Sequence, residues 1–283
     1  MTGLETIAGF AMSYRDGRQV VRTWIAAFLA LLVLGSAPGH SQTTLTPGDL
    51  KRVNALSGNT IAWAVLRKAV KLGLTDAGLT EIANQNDSVD TISTILALED
   101  PEARLSPILA GAARGGIMAA ANSDLVASLG LDGSRPKGMG CLIFGHSPQE
   151  RSLFADLMKM SEAERTNCAS HYGRIRDYWL QAVAKFLRPP DAIDEAMVDV
   201  RLGPASGTLA SARSILIAGE TVHEVAYFLR RTTRFARPLI LEGASCGTPV
   251  VDIDQNSGQL VLCYELLAEL VNPIAASVGG QTQ

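Results

Sequence analysis

His223 and Glu224 stand in the order that opens a zinc-hydrolase helix. In H-E-x-x-H, two imidazoles four residues apart share one helix face, and the Glu beside the metal-bound water takes its proton. Here the second histidine position is Tyr227, so only one ligand is present. Glu220, His223, Glu224 and Tyr227 fall opposite an apolar stripe of Ile215, Ala218, Val222, Val225 and Leu229, which predicts a solvated helix face. His146, in Phe-Gly-His-Ser-Pro, and His171, near Cys168, could join His223 and an acidic residue such as Glu265 in a metal site. There is no G-x-S-x-G elbow, no phosphate-binding glycine loop and no dinucleotide fingerprint.

The remaining reactive residues are four cysteines. Four cysteines allow three disulfide pairings, and sequence proximity favours Cys141 with Cys168 and Cys246 with Cys263. Zinc ligation is the rival, but no C-x-x-C spacing occurs. An oxidising compartment would favour the disulfides, and the N-terminus points to one. Arg15, Arg18 and Arg22 precede the uncharged run from Trp24 to Leu34, and small residues follow from Gly35 to Ser41. That order predicts an export signal over residues 1–41, with cleavage after Ser41 and Met12 as an alternative start. Eleven apolar residues are too few for a bilayer core, which needs roughly twenty, although an uncleaved anchor is the alternative. No cysteine lies near the cut, which argues against lipid modification there.

Residues 42–283 are expected to form a single domain. They hold 22 basic and 26 acidic residues, a net charge of −4. This balance argues against nucleic-acid binding, as does an aromatic content of 5%. The hydrophobic fraction of 47% against 19% charged excludes disorder and supplies a sizeable core.

Several helices are predicted to carry these residues. Thr46-Pro47 opens the first, with Ile61, Val65, Leu66, Ala69, Val70 and Leu72 at helical spacing and Gly73 and Asp76–Gly78 as punctuation. Helices are also expected over 87–98, 101–121 and, from the capping box Ser161-Glu-Ala-Glu164, over 161–187. The glycines of 130–140 predict a loop, and 208–231 a single long amphipathic helix. Strands are expected over 197–202, 238–241, 250–254 and 259–263, with Asn256-Ser-Gly258 turning the last two into a hairpin and a short helix over 264–271. The fold class is therefore α+β, mostly helical with a small antiparallel sheet toward the C-terminus.

Three stretches together resemble an uncharacterised bacterial family of exported, zincin-like metallopeptidases. Arg135-x5-Cys141-Leu-Ile-Phe-Gly145-x-x-Pro148 and Arg165-x-x-Cys168-x3-Tyr172-x6-Trp179 are similar to that family's R-x5-C-L-L-Y-G-x-D-P and R-x-x-C-x-x-E-Y … W. Cys246-Gly247-x-Pro249 and Leu260-Val-Leu-Cys263-Tyr264-Glu265-Leu266 are similar to its C-G-x-x-N-A-x-Y-D-P and C-Y-E-L, with Ile253, Asp254 and Gln255 replacing Tyr-Asp-Pro. Both blocks support the local cysteine pairing. The third stretch corresponds to N-T-L-x4-H-E-x-x-H and a following G-R-E-E-D-x-x-D. Asn59-Thr60-Ile61 matches its start, and Asn86, Asp87 and Asp90 match the acidic segment.

In that register the two histidine positions fall on Leu66 and Val70, the Glu position on Arg67, and the third metal-binding Glu on Asn86. The resemblance implies a zinc cofactor. Yet Leu66 and Val70 offer no lone pair, Arg67 puts a cation where a general base belongs, and Asn86 offers a neutral carbonyl. No other register restores the ligands, because no histidine lies between His40 and His146. The expectation is an exported protein without metal or hydrolytic activity, acting by binding an envelope protein or a peptide and meeting a membrane only through an uncleaved signal. Leu66 and Val70 are expected to point inward and Arg67 outward. The alternatives are an active zinc hydrolase with another ligand set, and a purely structural envelope protein.

Overall fold

A 30-residue helix, α1 (Pro47–Asp76), organises the chain. Its start is fixed by Thr46, whose hydroxyl accepts from the Asp49 N–H (3.1 Å) while the Asp49 carboxylate accepts from the Thr46 N–H (3.1 Å). From Val53 to Leu66 the sequence carries no charge, and α1 is buried over this stretch except at Asn54, Ala55 and the half-buried Asn59. The computed structural model describes residues 45–120, 135–189, 196–254 and 257–280, with 122, 125, 129 and 192. Residues 1–41, predicted as an export signal, the loop residues Gly130 and Gly133, and Asn256 of the hairpin turn lie outside the described residues.

After α1 come α2 (Thr80–Ala83), α3 (Asn86–Leu98), α4 (Ser106–Ala119), α5 (Arg135–His146), α6 (Ser152–Leu157) and α7 (Glu162–Ala182). Next come β1 (Val198–Leu202), α8 (Leu209–Gly219), α9 (Thr221–Thr232), β2 (Leu239–Ala244), β3 (Val251–Asp254), β4 (Gln259–Cys263) and α10 (Tyr264–Gly280). The class is α+β, but the sheet is mixed rather than antiparallel. Its order is β1-β2-β4-β3. β1 runs parallel to β2 and β2 to β4, and only the hairpin β3–β4 is antiparallel. Two helices separate β1 from β2 and carry the chain back to the same end of the sheet, so the pair must align in parallel.

Several helices depart from their predicted bounds, α7 among them, which ends at Ala182 rather than at 187. The long helix expected over 208–231 breaks at Glu220, which adopts a left-handed conformation (φ 51°). The break turns α9 so that the buried Thr221 hydroxyl reaches the Gly58 carbonyl of α1 (3.4 Å). α5 occupies part of the expected glycine loop. Cys141 and Gly145, four apart on α5, face Cys168 and Tyr172, four apart on α7, so this helix face fits closely against its neighbour. A Cβ at Gly145 would sit 2.5 Å from the Cys168 carbonyl oxygen. Gly73 does not punctuate α1, because the Phe186 ring packs against its bare Cα and the helix continues to Asp76. α10 runs through Pro273, its last turns held by the fully buried Ile274 and Val278.

α4 begins at Ser106, later than expected, because residues 99–105 form a loop pinned to α9. Arg104 bonds Glu224 (3.0 Å) and stacks over Tyr227 (4.3 Å to the ring centroid), while Tyr227 and Arg231 both bond Glu102. α4 then lies tightly on α1, with Gly115 over the Thr60 hydroxyl; a Cβ at Gly115 would come within 2.1 Å of that oxygen and 3.2 Å of the Leu56 carbonyl. Helix propensity alone would make Gly115→Ala stabilising by about 1 kcal/mol. Thr60 is buried and β-branched, so it cannot yield. Overpacking is expected to win, with a net loss of about 1–3 kcal/mol in chemical denaturation. An unchanged or raised midpoint would show that α4 does not sit this close.

Candidate functional site

Burial of α1 on every side leaves its one mid-helix guanidinium without a route to water. Arg67 is 3% exposed, and its partners come from the first turns of α3. Asn86 and Asp90, four residues apart, share one face of that helix. The Arg67 Nε donates to Asp90 Oδ1 in an ion pair, and Nη2 donates to Asn86 Oδ1 (3.0 Å). The expectation that Arg67 points outward is therefore overturned. An outward face would have required an amphipathic α1, and the flanking residues Leu66 and Val70 are 1% and 0% exposed. Asp87 is on the exposed surface beside the cluster.

The register predicted from sequence brings Arg67 and Asn86, nineteen residues apart, into direct contact. Helix geometry places Leu66, Arg67 and Val70 within an arc of about 100° on α1. The arrangement does not fit zinc. Two of the four positions are hydrocarbon, the third is a fixed cation that repels a divalent metal, and the Asn86 carbonyl is already engaged by that cation. What the cluster can do is neutralise a buried charge and tie α3 to α1.

The three histidines stay apart. His171 lies on α7, with Nδ1 donating to the Asn167 carbonyl (2.8 Å), and His223 is exposed on α9. Glu224 beside it bonds Arg104, so the solvated face is partly covered by the 99–105 loop. His146 is half-buried, edge-on to Tyr172 (5.5 Å between ring centroids), with Nδ1 2.8 Å from the Ser147 hydroxyl. Its Nε2 lies 4.0 Å from Glu99, whose carboxylate also accepts the Tyr172 hydroxyl (2.8 Å). Burial, reinforced by Glu99, raises the Tyr172 phenol above its ordinary pKa. Sequence reasoning missed Glu99. Its signal was Tyr172, whose spacing from Cys168 fixes the side of α7 that faces α3.

Among the described residues the one close grouping of possible metal ligands is Cys246, Cys263 and Glu265. The chemistry there is already settled by a disulfide. Cys141 pairs with Cys168 and Cys246 with Cys263, with Cα separations of 5.1 and 5.4 Å. No protein-family model, curated protein or solved structure matches the chain.

Glu265 acts as a clamp for the second disulfide loop, accepting from the N–H groups of Gly247 (2.8 Å) and Cys246 (3.1 Å). Burial would raise its pKa, but these backbone donors together outweigh it and hold the carboxyl below its usual value. A depressed folded pKa means the clamp contributes fully above the unfolded value of about 4.3 and is lost as the pH falls through the folded one. Amide exchange at Gly247 and Cys246 is expected to be protected at neutral pH and to lose protection in acid below the depressed folded pKa. Glu265→Gln should abolish the difference. Equal protection at both pH values in the wild type would contradict the clamp.

Proposed function

We propose that this protein is an exported, disulfide-stabilised relative of zinc metallopeptidases that has lost its metal and acts by binding an envelope protein or a peptide rather than by hydrolysis. The observation that carries the proposal is the Arg67–Asp90–Asn86 cluster. Two positions that the resemblance assigns to the general base and the third zinc ligand meet, and a salt bridge stands where a metal-bound water would need a base. Both disulfides suit an oxidising compartment. Among the described residues no helix is long and apolar enough to cross a membrane.

The rival, a zinc enzyme built from His146, His171, His223 and Glu265, lacks a shared ligand position among the described residues. The test is zinc content together with peptide hydrolysis, with and without a chelator. The purified protein is expected to carry far less than one zinc per chain and to show no chelator-sensitive hydrolysis.

A further inference from the structure

A second concave surface lies near the N-terminal end of α1, roughly 12 Å along the helix from Arg67 at 1.5 Å per residue from Asn59. It is a groove of about 610 Å³ between α1, α4 and α6, within the usual size range of small-molecule sites, about 300–1,000 Å³. Leu56, Leu153, Phe154 and Leu157 supply its large apolar lining. Leu153 and Leu157 are 70% and 50% exposed, among the most exposed large apolar side chains described. Its lining also includes three arginines, Arg52, Arg114 and Arg151, against one carboxylate, Glu150.

These cations are poorly served by the protein. Arg114 is partly desolvated and its charged neighbour is Arg52; burial first, then that like charge, lowers its affinity for its proton. Among the described residues neither Arg52 nor Arg114 has a carboxylate within ion-pair distance. Arg151 donates to the Ser106 hydroxyl through Nη2 (2.6 Å), but its Nε is buried with no partner. The like charges Arg52 and Arg114, close enough to repel each other beside exposed leucines, mark a surface suited to an anion with an apolar portion.

We propose that this groove binds a single-chain anionic amphiphile, with a carboxylate or phosphate head on Arg52, Arg114 and Arg151 and its hydrocarbon against Leu56, Leu153, Phe154 and Leu157. The site is independent of the zinc reading. Calorimetric titration of the purified protein with dodecanoate and with dodecyl phosphate, below their micelle concentrations, tests it. Saturable one-to-one binding of at least one is expected, and the stronger of the two identifies the head group. Arg52→Gln/Arg114→Gln should weaken it about tenfold or more. Arg52 feels only the surface carboxylate Asp49, and the charged neighbour of Arg114 is Arg52 itself, so that variant should shift the thermal midpoint little. Leu153→Asp, at an exposed position, should weaken binding as well. Equal binding of dodecyltrimethylammonium, equal binding of inorganic phosphate, or unchanged affinity in the double arginine variant would each overturn the proposal.

Discussion

Asp90→Ala is expected to destabilise the protein by about 3–5 kcal/mol, because it leaves the Arg67 guanidinium buried without its counter-charge. For a chain of this size that lowers the thermal midpoint by roughly 10 °C. The reverse truncation should be milder. Arg67→Met leaves behind an Asp90 side chain that is 12% exposed against 4% for Arg67, so water can reach the carboxylate more readily. Arg67→Met/Asp90→Leu removes both charges and is expected to be close to neutral, since an ion pair in the interior recovers little beyond its own desolvation. The order of the three variants in chemical denaturation is the diagnostic. If Asp90→Ala were no worse than Arg67→Met/Asp90→Leu, Arg67 would not be a buried cation held by Asp90.

Loss of both disulfides is expected to cost more than any other change considered. Cys141–Cys168 closes 27 residues and Cys246–Cys263 closes 17, each contributing about 3 kcal/mol through the unfolded chain. Together, about 6 kcal/mol is comparable to the whole stability of an ordinary domain, about 5–15 kcal/mol. The protein is therefore expected to unfold near ambient temperature in strong reductant, and to resist it when oxidised. Cys141→Ala/Cys168→Ala should cost more than Cys246→Ala/Cys263→Ala. It opens the longer loop and also frees α5 from α7 where Gly145 holds them in close contact. An unchanged midpoint on full reduction, followed by circular dichroism, would contradict this.

Local signals were read well and tertiary ones poorly. Ser161 and Glu164 announced the start of α7 because a capping box is a chemical device written within four residues. The disulfides were legible because loops of 27 and 17 residues keep their partners near in sequence. The break at Glu220 was not, since nothing in a Gly-Glu-Thr sequence forces a left-handed glutamate; the packing of Thr221 beneath Gly58 does. α5 was hidden for a related reason. Its glycines look like loop residues until a partner helix is placed against them. The parallel pairing of β1, β2 and β4 depends on which strands become neighbours, and alternation within a strand carries no such information.

The site was half legible. The resemblance singled out Arg67 and Asn86 as a pair of positions, and the two side chains are in contact. Their environment is not legible in the periodicity of α1, because an apolar stripe on one face does not reveal how far burial extends round the helix. The run from Val53 to Leu66, free of charge, is the available sign that the helix is covered on most sides as it approaches Arg67. An arginine following such a run must find its counter-charge inside.

The most direct test of a metal-free protein is elemental analysis of the protein purified without chelator and then exposed to excess zinc and desalted. Well under one zinc per chain is expected, unchanged by substituting His146, His171 and His223 together with alanine. One tightly held zinc per chain, lost in that triple variant, would contradict it and make this an active-site architecture of another kind.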